Sequence, residues 1–187
     1  MTTILEAKNL KVIRGGSLLV DVPDLAIIEG ETLSLIGPNG AGKTTLLQAL
    51  SYLSKPSAGE VLFRGRVVGP DYGALEFRRN LTMVFQEPLL FDTTVFNNVV
   101  SGLKMRGRGG KESRQIARAQ LERFGIAHLG ERSAKTLSGG EAQRTSLARA
   151  FALSPEVLFL DEPFAALDPP TREIGRASCR ERVSLNV

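Results

Sequence analysis

The chain of 187 residues has little of the residue types that build disulfides and metal centres. It contains one cysteine, one histidine and no tryptophan. A single cysteine cannot form an intramolecular disulfide, and one histidine with one cysteine is too few for a structural zinc site. No run of the sequence approaches the ~20 apolar residues of a membrane span, and residues 1–10 lack the apolar core of a signal peptide. We therefore expect a soluble, cytosolic protein that reaches a membrane only through a partner.

Charge of one sign is also scarce. The sequence has 24 Lys and Arg against 20 Asp and Glu, which gives a net charge of +4. This excess is too small and too scattered to indicate an arm that binds nucleic acid. Apolar residues make up 42% and charged residues 24%, and these ordinary values exclude a disordered or collagen-like chain. The length predicts one compact domain with room for an inserted lobe.

Hydrophobic patterning predicts an α/β fold. Segment 4–28 alternates short apolar runs with turn residues, which predicts antiparallel strands. Segment 32–36 is a short apolar run before a glycine loop and predicts a buried strand, as does the fully apolar segment 157–160. Other strands are predicted at 60–68 and 81–85, and helices at 43–53, 113–124 and 141–153. The region of about 87–137 is mostly helical and predicts a lobe that interrupts the sheet.

Residues 37–44 form a glycine-rich loop that fits the pattern G-x-x-x-x-G-K-[ST]. Glycines let backbone N–H groups curl around phosphate oxygens, and the helix that begins near Lys43 adds its positive dipole end. Lys43 would neutralise the β- and γ-phosphates, and the Thr44 hydroxyl would ligate Mg²⁺. A strand before the loop and a helix after it favour a nucleotide site over a simple glycine turn. The predicted cofactor-binding residues here are Gly37, Pro38, Asn39, Gly40, Ala41, Gly42, Lys43, Thr44 and Thr45.

Two carboxylates follow the apolar strand 157–160. Asp161 would hold Mg²⁺ directly or through water, and Glu162 would polarise the attacking water as a general base. An acidic turn after a core strand would give the same local pattern. The glycine loop earlier in the chain favours the interpretation as a two-part site.

A second glycine pair lies at the start of the last predicted helix. Ser138, Gly139 and Gly140 precede Glu141 and could present another anion-binding surface. Taken alone, this is an ordinary helix cap. The segment indicates a function only through the order of the motifs: it follows the glycine loop, and the acidic strand end follows 23 residues after Ser138.

This order of motifs resembles the nucleotide-binding subunit of ABC transporters over residues 4–172. The matching segments are Gly37–Thr44 as Walker A, Gln86 as the Q-loop glutamine, Leu137–Glu141 as the signature motif, Val157–Glu162 as Walker B and Ala166–Asp168 as the D-loop. The resemblance implies a P-loop NTPase core sheet with an N-terminal antiparallel β subdomain and an inserted helical subdomain at about 87–137.

The resemblance also implies a mechanism. Two copies pair head to tail, and each ATP lies between residues 37–44 of one copy and Ser138, Gly139 and Gly140 of the other. Lys43, Gln86 and Glu162 would form the catalytic set, and Gln86 would join Thr44 and Asp161 as a ligand of Mg²⁺. Closure of the dimer by ATP and its opening after hydrolysis would drive transport.

The implied partners are a membrane permease and, indirectly, a solute-binding protein. The subunit would lie in the cytoplasm on the inner face of the plasma membrane, with segment 86–98 towards the permease. The sequence of this segment is similar to that of ATPases from importers of oxyanions such as tungstate or molybdate, and more loosely phosphate. We therefore expect an ATPase that powers a bacterial oxyanion importer.

Two positions depart from the family pattern. An aromatic residue that stacks on adenine is replaced by Arg14, whose guanidinium could also stack on a ring. The alternative is that Arg14 is a solvated turn residue. The switch histidine of the family lies beyond the D-loop, whereas His128 precedes the signature motif and is interpreted as a packing or surface residue.

The C-terminal segment 173–187 looks like the in-frame translation of a sequencing adapter, although a short basic helix is the alternative. We set this segment, with Cys179, outside the predicted domain 1–172. The family resemblance then implies a missing strand between the strands that carry Gly37 and Asp161. Its absence would leave backbone groups unpaired, so we expect the chain to be unstable and nearly inactive.

Two other interpretations stay open. The first is a soluble ABC ATPase of DNA repair or ribosome rescue. The coiled coils, zinc-binding cysteines or second cassette typical of those proteins are not present in this sequence, although truncation could hide a second cassette. The second is a remnant that binds ATP without turnover. Neighbouring genes and a Glu162→Gln comparison would separate these interpretations from the importer.

Overall fold

The computed structural model describes residues 2–163 and 183–186, which fall into two compact units. The first unit contains residues 2–83, 156–161 and 183–186. The second contains residues 84–155 and 162–163. Each unit has its own buried apolar residues, and each is described by itself below.

An antiparallel sheet forms one part of the first unit. Its strands are ordered β2-β1-β4-β5, and their bounds are Thr3–Arg14 for β1, Ser17–Ile28 for β2, Ala58–Phe63 for β4 and Arg66–Val67 for β5. β1 and β2 join through Gly15 and Gly16, which both adopt positive φ, and this hairpin confirms the antiparallel strands predicted for 4–28. The strand predicted for 60–68 is divided in two, because Arg64 and Gly65 form a turn with positive φ.

A parallel sheet contains the strands that precede and follow the candidate site. Its order is β3-β8-β7-β6, with bounds Thr32–Ser34 for β3, Leu81–Val84 for β6, Val157–Leu160 for β7 and Val183–Asn186 for β8. All four residues of β7 are buried, as predicted. The prediction that 32–36 is a buried strand is wrong. β3 lies at the edge of the sheet, and Ile36, beyond its end, is 97% exposed.

β8 occupies the position that the sequence analysis expected to be empty. Its backbone pairs in parallel with β3 through Leu33 and Leu185, and with β7 through Phe159 and Leu185. The expectation of a gap between these two strands is therefore wrong. Strand pairing depends mainly on backbone N–H and C=O groups. A four-residue segment that does not resemble the family's own strand can therefore pair at this position. The adapter origin of 173–187 stays a prediction.

Two helices belong to the first unit, α1 at Lys43–Leu50 and α2 at Ala74–Asn80. Leu47 and Leu50 of α1 are fully buried in the same apolar cluster as residues of both sheets. The helix ends three residues earlier than predicted, which leaves Leu53 half exposed. Other large members of this core are Leu5, Leu10, Ile27, Phe63, Phe77 and Phe159.

The described residues of the second unit contain three helices, α3 at Val95–Met105, α4 at Gly110–Arg123 and α5 at Gly139–Ala152, with single 3₁₀ turns at Ala127–Leu129 and Ala134–Thr136. Phe124 and Phe151 pack with ring centroids 5.5 Å apart in its core. The sequence analysis did not predict α3, whose first turn is capped by the Thr94 hydroxyl accepting from the Asn97 amide. The predicted lobe boundary of 87–137 stays a prediction. Within the described residues, no helix has the length and apolar character to cross a membrane.

Candidate functional site

The glycine loop between β3 and α1 has the backbone that a phosphate site needs. Gly40 and Gly42 adopt φ values of 81° and 85°, and a Cβ on Gly42 would lie 2.7 Å from the Leu19 carbonyl oxygen. Position 42 therefore requires glycine. α1 starts directly after it with no side-chain cap and no acidic residue in its first turn. The first amide groups of α1 consequently have no side-chain partner at the end that attracts anions.

Lys43 places its ammonium group against the loop that precedes it. Its Nζ donates hydrogen bonds of 3.0 Å to the carbonyl oxygens of Gly37 and Pro38. The Lys43 ammonium group and the N-terminus of α1 therefore both lie at the glycine loop. This combination suits a polyphosphate ligand.

The Thr44 hydroxyl and the Asp161 carboxylate meet in the first unit. Thr44 Oγ1 donates to Asp161 Oδ1 across 2.9 Å, although the two residues are 117 positions apart in sequence. Asp161 is 5% exposed and follows β7 directly. Hydroxyl and carboxylate oxygens are the hard ligands that Mg²⁺ takes beside phosphate oxygens, so this donor set fits that cation.

Gln86 and Glu162 form a second contact, within the second unit. The Gln86 amide Nε2 donates to Glu162 Oε2 across 3.1 Å. Glu162 has a φ of 45°, an uncommon backbone for a residue with a side chain. Strain of this kind is tolerated where the surroundings hold it and is frequent at functional sites. The predicted pair of acids therefore diverges, with Asp161 bound to Thr44 and Glu162 bound to Gln86.

Gln143 of α5 is a positioning residue that the sequence analysis missed. Its Nε2 donates to the carbonyl oxygens of Pro163, at 3.1 Å, and Phe85, at 3.4 Å. These carbonyls belong to the residues next to Glu162 and Gln86, so one buried amide fixes both neighbours of the pair. A polar residue on the buried face of a helix is the signal that could have identified it.

The Ser-Gly-Gly segment forms a complete capping box at the start of α5. Ser138 N donates to Glu141 Oε2 at 2.7 Å, and Ser138 Oγ accepts from the Glu141 amide at 3.4 Å. The hydrogen bonds from Ser138 hold the pKa of Glu141 below its ordinary value, with Arg132 and Arg144 as smaller causes. Gly139 is exposed, and a Cβ added to it would meet nothing within 4 Å.

Other predicted residues lie apart from these contacts. The Arg14 guanidinium donates to Ser54 Oγ at 3.1 Å and Gln48 Oε1 at 3.5 Å. His128 is exposed on a 3₁₀ turn, which confirms a surface residue. The D-loop residues 166–168 lie outside the described residues.

Segment 86–98 divides between surface and core. Leu89 and Phe91 are 61% and 48% exposed, whereas Val95 is fully buried. Asn98 is buried and holds the loop in place, because its amide accepts from the Phe91 N–H and donates to the carbonyls of Phe91 and Thr94. Some of the predicted partner surface is therefore core of the second unit.

The ABC transporter family model matches residues 20–165. The chain is 43% identical to the tungstate uptake system ATP-binding protein TupC of Peptoclostridium acidaminophilum, over 88% of this chain and 74% of that protein. It is 42% identical to the molybdate/tungstate import ATP-binding protein WtpC of Pyrococcus horikoshii, over 77% of this chain and 41% of that protein. It is 41% identical to the phosphate import ATP-binding protein PstB 2 of Natronomonas pharaonis, over 82% and 58%.

Solved structures with similar folds include cbiO1 from Clostridium perfringens, part of the ABC transporter complex cbiONQ. Its TM-score is 0.83 at 30% identity, over 100% of this chain and 79% of that chain. A dimeric ATP-binding cassette in a post-hydrolysis state with ADP and Pi has a TM-score of 0.88 at 28% identity, over 98% and 88%. The chain spans about half the length of several relatives that it matches, including 56% of a sulfate/thiosulfate import protein from Pseudomonas aeruginosa.

Proposed function

Because the chain belongs to the ABC transporter family, we propose that it is the ATP-binding and ATP-hydrolysing subunit of a bacterial importer. The observation that carries this proposal is the 2.9 Å contact between Thr44 and Asp161. It joins the phosphate loop to the acidic strand end in the first unit, as a magnesium–nucleotide site requires.

ATP and Mg²⁺ are the proposed cofactors. The amides of residues 37–45 bind the phosphates, and Lys43 turns from its loop carbonyls to the β- and γ-phosphate oxygens. Thr44 and Asp161 hold Mg²⁺, with Gln86 as the third proposed ligand. When bound, the metal neutralises the charge that develops on the transferred phosphoryl group.

Glu162 is the proposed general base. Its carboxylate accepts a proton from the attacking water, and the Gln86 amide orients that carboxylate through the 3.1 Å hydrogen bond. Gln143 supports both residues through its bonds to Phe85 and Pro163. Lys43, Gln86 and Glu162 together form the proposed catalytic set.

The active form is proposed to be a head-to-tail dimer on the cytoplasmic face of the plasma membrane. Ser138, Gly139 and Gly140 of a second copy would complete each nucleotide site, and the dimeric neighbour with ADP and Pi supports this assembly. A permease is the second proposed partner, and the exposed Leu89 and Phe91 suit a contact with it. A solute-binding protein would act only through the permease.

An oxyanion is the proposed solute. Relatives named for tungstate, molybdate/tungstate, phosphate and sulfate/thiosulfate support this class. Relatives named for Fe(3+) ions and for spermidine/putrescine match at similar identity. Support for an oxyanion therefore comes from the larger number of oxyanion importers among the relatives named above. The ATPase subunit itself is not expected to contact the solute.

Arg14 is retained as a proposed contact to the nucleotide base. Its bonds to Ser54 and Gln48 already hold the guanidinium beside the end of α1, so stacking would require it to leave them. Replacement of Arg14 by alanine should then change the ratio of ATP to GTP affinity. An unchanged ratio would mean that Arg14 does not contact the base and is only a residue of the β1–β2 turn.

The proposed function is tested by titrating MgATP into the chain and into its Lys43→Ala variant by calorimetry. Loss of a charged hydrogen-bond donor should weaken binding by about tenfold to hundredfold. Lys55→Ala is the matched control, because Lys55 is an exposed lysine of the same unit. Equal affinity of the wild type and the Lys43→Ala variant would overturn the proposal.

A further inference from the structure

The positive charge of the chain is concentrated in one short segment of the second unit. Residues 104–118 contain six Lys or Arg and a single acid, Glu112, which is a net charge of +5 against +4 for the whole chain. The net charge is therefore less scattered along the chain than expected, and the expectation that no arm binds nucleic acid stays a prediction. Among the described residues, no ion pair engages Lys104, Lys111 or Arg114, and all three are exposed.

These three cations line one cavity. It has a volume of about 350 Å³ and lies between α3 and the start of α4. Phe96 and Val100 of α3 supply an apolar wall. Low-dielectric walls beside charges of one sign concentrate the electrostatic potential, so the cavity attracts anions more strongly than an open surface would.

The start of α4 adds hydrogen-bond donors to the same cavity. α4 is 14 residues long, its N-cap is Gly109, and no side chain caps its first amide groups. Gly109 and Gly110 both line the cavity. The first turn therefore offers donors and a positive dipole end, although the Glu112 carboxylate in that turn offsets part of the charge.

Ser113 provides an independent indication of a ligand. It is 2% exposed and lines the cavity, and no side-chain hydrogen bond holds it among the described residues. Its hydroxyl is not one of their fully buried unpartnered atoms, so it is open to the cavity. Most buried hydroxyl groups in proteins have a partner. A donor of this kind is satisfied when an acceptor occupies the cavity.

We propose that this cavity binds a tetrahedral oxyanion, with Lys104, Lys111 and Arg114 neutralising its charge and the Ser113 hydroxyl and the α4 amides donating to its oxygens. The volume leaves room for accompanying water, since one water molecule takes about 30 Å³. This site belongs to the second unit and is separate from the phosphate loop in sequence and in the residues that form it. It does not depend on the proposed function.

The test is equilibrium dialysis of the chain against radiolabelled sulfate, with a non-hydrolysable ATP analogue and Mg²⁺ at saturation so that the γ-phosphate position of the phosphate loop is also filled. One sulfate should bind, and phosphate or molybdate should displace it while chloride at equal ionic strength should not. The Lys104→Gln/Lys111→Gln/Arg114→Gln variant should weaken binding by about tenfold or more, because charge-assisted hydrogen bonds are lost. Ser113→Ala, which leaves every charge in place, should weaken it by about threefold.

The matched control is Lys8→Gln/Lys55→Gln/Arg79→Gln, which removes three exposed cations of the first unit and makes the same change in net charge. It should retain sulfate affinity within about twofold, since none of these three residues lines the cavity and exposed charges are screened by salt. Urea unfolding of each variant checks that it is folded. Equal losses in control and triple variant, displacement by chloride, or no bound sulfate would each overturn the proposal.

Discussion

The helices α1 and α5 both begin in glycine-containing segments, with Gly42 as the N-cap of α1 and Gly139 as the first residue of α5, yet their first turns differ. α1 follows Gly42 with no side-chain cap and no acid, whereas α5 has Ser138 and Glu141 joined in a capping box. The start of α1 is open to an external anion, whereas the start of α5 is already occupied by the carboxylate of Glu141. A glycine-rich helix start therefore does not identify a phosphate site until the partners of its first amides are known.

The largest expected difference in stability is between the alanine variants of Gly42 and Gly139. Gly42→Ala places a Cβ 2.7 Å from the Leu19 carbonyl oxygen at a φ of 85°, which should cost about 1–3 kcal/mol of unfolding free energy. Gly139→Ala meets open space and should cost little. Urea unfolding and MgATP titration of both variants measure this difference.

The comparison fails if the two variants are equally stable and bind MgATP equally well. In that case the positive φ at position 42 would not be what shapes the loop.

A smaller effect is expected from the cap of α5. Ser138→Ala removes the hydroxyl that accepts from the Glu141 amide, and loss of such a cap costs about 1 kcal/mol. Ser133→Ala is the control, because Ser133 precedes a 3₁₀ turn without a side-chain cap bond. Thermal unfolding should separate the two. Equal midpoints would mean that the capping box does not stabilise α5.

The smallest effect is a pH dependence of the same cap. The folded chain lowers the pKa of Glu141 below its ordinary value of 4.5, chiefly through hydrogen bonds from Ser138. A carboxylate whose pKa is lower in the folded chain stabilises the fold at pH values above its ordinary pKa. This contribution is lost as pH falls through the pKa of the folded chain. Glu141→Gln keeps an acceptor but removes the charge. The variant should be less stable at neutral pH, and its difference from the wild type should shrink in acid.

A pH-independent difference in the unfolding midpoint would contradict this account of Glu141. It would assign the effect of the substitution to packing or to the neutral hydrogen bond.

The sequence predicted the local structure around residues 37–44 and 161–162 better than the strands of the two sheets, and the functional roles of those residues stay predictions. The loop at 37–44, the helix at 43 and the acids at 161 and 162 each follow from residue types at fixed spacing, and the structure brings Thr44 to Asp161. The spacing could not indicate that Glu162 would turn to Gln86, because that contact depends on a positive φ and on the buried amide of Gln143.

The missed elements were decided by tertiary partners. α3 begins with Val-Phe-Asn-Asn-Val-Val, in which β-branched residues and asparagine mask a helical pattern. Its buried Asn98 is satisfied only by the preceding loop around Phe91. β8 likewise depends on its backbone pairing with β3 and β7. It was missed because the sequence analysis sets segment 173–187 outside the predicted domain.

The proposed nucleotide site requires that Thr44 and Asp161 act together on a metal bound with the nucleotide. A double-mutant cycle with Thr44→Val and Asp161→Asn, titrated with ATP in the presence of Mg²⁺ and again with EDTA, tests it most directly. The account predicts that each single variant loses affinity only when Mg²⁺ is present, and that the double variant loses less than the sum, with a coupling of about 1–2 kcal/mol. Additive losses, or equal losses with and without Mg²⁺, would contradict it.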